Sequence, residues 1–136
     1  MEKEFIPYEQ ALALRELSYK DIFPLGYYTD ILGITFKRNY HEFPLINDSV
    51  AFTIAPTFSQ AFRWFRDEYD LYFEIKKNYD GFSFLYYEGS ELNKDYWINY
   101  ILEMSDPEKR KQHIYKTYEE AELKCLKKLI EITKTK

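Results

Sequence analysis

The chain has 136 residues, 46% of them hydrophobic, a formal net charge of −4 and a single cysteine. Those totals fit a single domain spanning residues 1–136, set wholesale disorder aside, and exclude an intramolecular disulfide or a cysteine-rich metal site. The chain as a whole also lacks the positive field that a general nucleic-acid binder needs, and no apolar run approaches the length that spans a bilayer.

Aromatic content is the unusual quantity, at 20%, with 14 tyrosines and 11 phenylalanines. Tyrosine is an apolar plate with a wet end, so an excess suits strands with one half-exposed face or a binding surface. The N-terminus, Met-Glu-Lys-Glu-Phe-Ile-Pro, is charged and lacks the apolar core of a signal peptide, which places the expected work of the protein in the cytoplasm.

Ile6-Pro7-Tyr8 opens a first helix, with Pro7 at the first helical position, where its missing N–H costs nothing. Ala11, Leu14 and Leu17 lie along one side, Glu9 and Glu16 face water, and the helix ends near Tyr19. Pro24 and Gly26 mark the break that follows. Phe23–Tyr28 and Ile31–Phe36 read as short strands joined at Thr29-Asp30, with Gly33 weakening the second or marking a bulge. Lys37–Asn47, which holds Arg38, His41 and Pro44, shows no period and reads as a loop. Val50–Ile54 alternates and reads as a strand with one face inward.

Ala55–Tyr69 is the stretch around which the rest is organised. Pro56 closes what precedes it, Thr57 is placed to cap exposed amides, and Phe58, Ala61, Phe62, Phe65 and Tyr69 recur at helical spacing on one face. Leu71–Tyr87 then reads as a hairpin turning at Asp80-Gly81, where the glycine supplies a positive φ. In Leu92–Met104 the residues Tyr96, Trp97, Tyr100 and Ile101 make a helical stripe, although Tyr-Trp-Ile-Asn-Tyr-Ile also alternates as a strand; the helix is preferred. Ser105–Gln112 is a charged connector. Thr117-Tyr118-Glu119-Glu120 is a capping box opening a last helix, along which Ala121, Cys125, Leu129 and Ile132 form one line beside Leu126 and Ile130. The expected class is α+β, an antiparallel sheet with about three helices packed on one face.

Chemistry is sparse in this pattern. His41 and His113 lie far apart in expected loops with no ligand-spaced partner, so neither metal nor cofactor is expected. Cys125 falls on a core stripe, where a thiol is a small hydrophobe rather than a nucleophile. Four glycines, none clustered, build no phosphate loop, and Ser59 lacks the glycines of a nucleophile elbow. The strongest signal is Arg63-Trp64-Arg66: with Phe62 and Phe65 inward, both guanidinium groups turn outward beside an indole, a pairing able to clamp an anion and stack a ring. The competing reading pairs both arginines with Asp67, Glu68 or Asp70 and gives Trp64 to the core. Tyr28 and Tyr87 are candidates for a stacking surface, but adjacent tyrosines on a strand point to opposite faces, so only one of Tyr27 and Tyr28, and one of Tyr86 and Tyr87, contributes there.

Three segments taken together, Ile6–Leu14, Ala55–Arg66 and Glu119–Ile132, resemble small uncharacterised proteins encoded by bacteriophages and prophages of Bacteroidota. The resemblance implies an accessory protein working inside a bacterial host and carries no catalytic residue with it. The first expectation is thus a non-enzymatic protein that occupies a host protein, interference with a host defence system being its most specific form. A second is a sequestering module for a small anionic, nucleotide-like ligand held by Arg63 and Arg66. A third is a small hydrolase or transferase, which would need His41 or His113 to meet a carboxylate in a cleft. A sheet covered on one side leaves its other face to water or to a second copy of the chain.

Overall fold

Helical spacing becomes helix and the β-favouring runs become antiparallel strands in a computed structural model, which describes residues 5–19, 26–31, 34–39, 51–89 and 94–135. In chain order these are α1 (Tyr8–Glu16), β1 (Gly26–Ile31), β2 (Ile34–Asn39), β3 (Ala51–Ile54), α2 (Phe58–Tyr69), β4 (Leu71–Asn78), β5 (Gly81–Glu88), α3 (Lys94–Ser105), α4 (Pro107–Arg110) and α5 (Tyr118–Lys134). The α+β class holds, with the described strands in two sheets, β2-β1-β3 and β4-β5. Backbone contacts divide the chain into two compact units, Met1–Ala61 and Phe62–Lys136, the boundary falling inside α2. Expectations placed on Phe23, Pro24, Gly33, His41, Pro44, Val50, Ser90 and Leu92 lie outside the described residues.

In the first unit, Pro7 is the N-cap of α1 rather than its first helical residue, with an extended ψ of 155°. Ala11 and Leu14 are buried and Ser18, just past the helix, takes a positive φ of 67°. The strand reversal falls later than Thr29-Asp30, because those residues continue the ladder: Thr29 pairs with Phe36, Asp30 with Thr35 and Ile31 with Ile34. For the same reason Lys37, Arg38 and Asn39 belong to β2 and not to a loop; they carry no hydrophobic period, yet each has a backbone partner in β1. On β3 it is Thr53 that is buried, its hydroxyl accepting from Arg15 Nη1 at 3.2 Å, while Ile54 is half-buried. A buried hydroxyl with a charged donor costs little.

The aromatic segment is a helix, as its spacing requires. Thr57 Oγ1 accepts from the Gln60 amide at 3.1 Å and Gln60 Oε1 accepts from the Thr57 amide at 3.0 Å, a reciprocal cap. Phe58, Ala61, Phe62 and Phe65 are buried, while Arg63, Arg66 and Asp67 are exposed. At its end Asp70 takes a φ of 54°, a left-handed position that aspartate tolerates better than most side chains.

The second unit is built on the β4–β5 hairpin. Phe62 stacks on Phe73 with centroids 3.8 Å apart, and α5 packs on both strands through Ala121, Cys125, Leu126, Leu129 and Ile130. Thr117 caps α5 by accepting from the Glu120 amide, and Glu120 reaches back one residue past the cap, to the Lys116 amide. Thr133 joins the buried line where Ile132 was expected; its hydroxyl donates to Leu129 O at 2.8 Å, which satisfies it within the helix. Replacing the fully buried Phe65 by alanine is expected to cost about 3–5 kcal/mol, against less than about 0.5 kcal/mol for Arg63→Ala on the outer face. Urea denaturation of the two variants measures the contrast.

Candidate functional site

The hairpin turns at Tyr79-Asp80, since Asn78 pairs with Gly81. Neither turn residue has a positive φ, so Gly81 is not spent on a tight primed turn. It serves a close approach instead. The chain after α4 returns along β5, where Phe82 and Tyr115 exchange both backbone hydrogen bonds at 2.8 Å. A Cβ on Gly81, whose φ is 148°, would sit 2.4 Å from Tyr115 O and 2.8 Å from Ile114 Cγ2. Only glycine lets that strap lie down on the strand.

The strap carries Gln112, His113 and Tyr115 beside β5. Helix α3 lies on the other side, fixed at two points. Tyr100 shares a hydrogen bond with the Ser83 hydroxyl at 2.9 Å, which in turn accepts from Asn78 Nδ2 at 2.8 Å. Arg110 forks onto both Asp80 oxygens, Nε at 2.9 Å and Nη2 at 2.7 Å, donates to Met104 O, and lies 4.9 Å from the Tyr79 ring centre. That guanidinium holds the Asp80 carboxyl below the ordinary carboxylate range.

Between these walls is a cleft of about 400 Å³ lined by Phe84, Tyr86, Asn99, Tyr100, Glu103, Gln112, His113, Tyr115 and Lys128. Its aromatic side is ordered by the near-parallel stacking of Phe84 on Tyr115, 6.1 Å between centroids. Burial pushes the Tyr86 and Tyr115 phenols above their usual values, so both stay neutral hydroxyls. Across from them His113 Nε2 meets Glu103 Oε2 at 2.6 Å. Lys128 runs along the cleft with its ammonium 3.4 Å from Glu131 on the same helix.

The residues singled out from sequence lie elsewhere, and none of the five lines the cleft. Arg63 is exposed and has no ion pair among the described residues. Arg66 bonds Asp67 at 3.1 Å, and Trp64 packs edge-on against Phe65 and Tyr69. Tyr87 stacks on Tyr72 at 5.5 Å, the Tyr72 hydroxyl being held above its ordinary value by its hydrogen bond to Asp70. Tyr28 donates to Ile6 O at 2.5 Å and meets Tyr8 edge to face. The structure therefore brings Arg66 and Tyr87 near one exposed end of the hairpin and gives Trp64 to aromatic packing. Of the Tyr86–Tyr87 pair, Tyr86 is the one in the cleft. Cys125 is fully buried and its thiol is pushed up by that burial. Among the described residues no three histidine, cysteine, aspartate or glutamate side chains are grouped to hold a metal, and no helix is long and apolar enough to cross a membrane.

Sequence reasoning missed Glu103, Asn99, Gln112 and Lys128, which share no local motif. On α3 the half-buried edge is Tyr100, Glu103 and Met104, whereas Ile98, Ile101 and Leu102 are exposed. A glutamate on the inner edge, with leucine and isoleucine turned out, was the available signal. Comparison with known proteins finds no matching family model, no matching curated protein and no matching solved structure.

The Arg110–Asp80 fork makes one pH dependence explicit. A carboxyl whose folded pKa is depressed adds stability above its unfolded value of about 3.9, and that stability is lost as the pH falls through the lower folded value. Arg110→Ala should therefore lower the Tm at neutral pH and flatten its fall between about pH 5 and about pH 2. Equal acid slopes for the variant and the parent chain would contradict the pairing.

Proposed function

We propose that this is a non-enzymatic binding protein whose ligand is a small molecule or side chain held in the cleft between β5, α3, the Gln112–Tyr115 strap and α5. The observation that carries the reading is the lining: aromatic walls with a few converging polar groups, in a volume of about 400 Å³, inside the range of roughly 300–1,000 Å³ usual for such sites. Arg66 already bonds Asp67, and neither arginine lines the cleft, which makes anion capture by Arg63 and Arg66 the weaker reading. The setting, an accessory protein of bacteriophage type acting in the host cytoplasm on a host protein or a defence system, is supported by the sequence resemblance alone.

The short His113–Glu103 contact favours one second reading, an acid–base enzyme, because a carboxylate-oriented imidazole is the arrangement a general base needs. Against it, the lining holds no serine, threonine or cysteine, and Ser83 is buried and already bonded to Asn78 and Tyr100. Turnover of an ester or phosphoester panel that His113→Ala abolishes would establish the second reading.

Thermal denaturation against a panel of small metabolites of every charge class tests the first. A ligand present at a hundred times its Kd should stabilise the fold by about 2.7 kcal/mol. Asn99→Trp, which fills the cleft from an exposed helix position, should remove that shift, while Arg63→Ala and Arg66→Ala leave it. A shift lost in the arginine variants and kept in Asn99→Trp would move the site to α2.

A further inference from the structure

The charges around the cleft select between ligand classes. Lys128 is the one lysine or arginine in the lining, and its ammonium is turned to Glu131. The charges of both are felt at Tyr86, with opposite sign. Glu103 meets His113 through one oxygen, Oε2, and its other oxygen has no partner among the described residues. The lining then combines one open carboxylate oxygen with the rings of Phe84, Tyr86, Tyr100 and Tyr115. An anion entering here meets a like charge and no unengaged lysine or arginine. A cation meets ring faces, whose quadrupole is negative, and a carboxylate at the edge.

Resting on the binding reading above, we infer that the cleft is a receptor for an organic ammonium group, of the quaternary or methylated-amine class. Such a group is weakly hydrated, so little is lost on entering an aromatic enclosure, and it needs no directed hydrogen bond from Asn99 or Gln112. Those amides are left to engage the rest of the ligand. The ammonium has two sources, a free small molecule such as choline or a methylated lysine on a protein, and the chemistry at the cleft is the same for both.

Titration calorimetry with the full chain tests this, using choline, its uncharged carbon isostere 3,3-dimethylbutan-1-ol, adenosine monophosphate, and a short peptide carrying trimethyl-lysine or unmodified lysine. The expected order places choline or the trimethyl-lysine peptide about tenfold or more ahead of the neutral isostere, with no binding of the nucleotide. Glu103→Gln should weaken the cation about tenfold and leave the isostere unchanged. Tyr86→Leu, which keeps an apolar wall but removes a ring, should do the same, so that a folding defect in one variant does not decide the result. Preference for the methylated peptide assigns the cation to a protein, and preference for choline assigns it to a free ligand. Equal binding of choline and the isostere, or binding of the nucleotide in place of the cations, overturns the cation inference and leaves the cleft reading standing. A panel in which no cation binds also overturns it, and the metabolite screen with Asn99→Trp then reports separately on the cleft.

Discussion

Two hydrogen bonds between Phe82 and Tyr115 make the cleft. They are the backbone pairing that seats the Gln112–Tyr115 segment along β5, to which the Phe84–Tyr115 stacking and the His113–Glu103 contact add side-chain anchors. The pairing is permitted by the missing side chain at Gly81, since the returning backbone occupies the space a Cβ would take. A single residue type at one strand end thus connects local conformation to the placement of three lining side chains.

The opposite wall is held by directed polar contacts. Helix α3 presents Ile98, Ile101 and Leu102 to solvent. Tyr100 anchors it to Ser83, Arg110 ties its C-terminal carbonyl and the hairpin tip together, and Glu103 meets His113 across the gap. Bidentate arginine and short charge-assisted contacts are directional, which is what a wall of fixed spacing requires. The cleft is open because it is propped by these contacts rather than filled by side chains.

Much of the fold is legible in the chain because it is written in local periods. Phe58, Ala61, Phe62 and Phe65 announce α2, and Thr117 with Glu120 announces the start of α5. Thr57-x-x-Gln60 was equally readable as a reciprocal cap. Strand ends were less legible: Lys37–Asn39 and Thr29-Asp30 are in strands because partners across the ladder claim their backbone groups, which no single-strand pattern records. Gly81 looked like a turn glycine because an Asp-Gly pair ordinarily is one, and its true constraint comes from residues more than thirty positions away. The cleft is the extreme case. Its lining runs from Phe84 to Lys128 and is assembled by a strap, a helix edge and a strand with no shared spacing, so Arg63, Trp64 and Arg66, conspicuous in sequence, stood out in its place.

Amide hydrogen exchange on the full chain tests the central claim most directly, because it reads the strap pairing residue by residue. The Phe82 and Tyr115 amides should exchange as slowly as the β4–β5 ladder, within about one order of magnitude of the Leu85 amide. A Tyr115 amide that exchanges at the rate of an open loop while the ladder stays protected would mean that the strap is not seated, and the cleft described here would not exist.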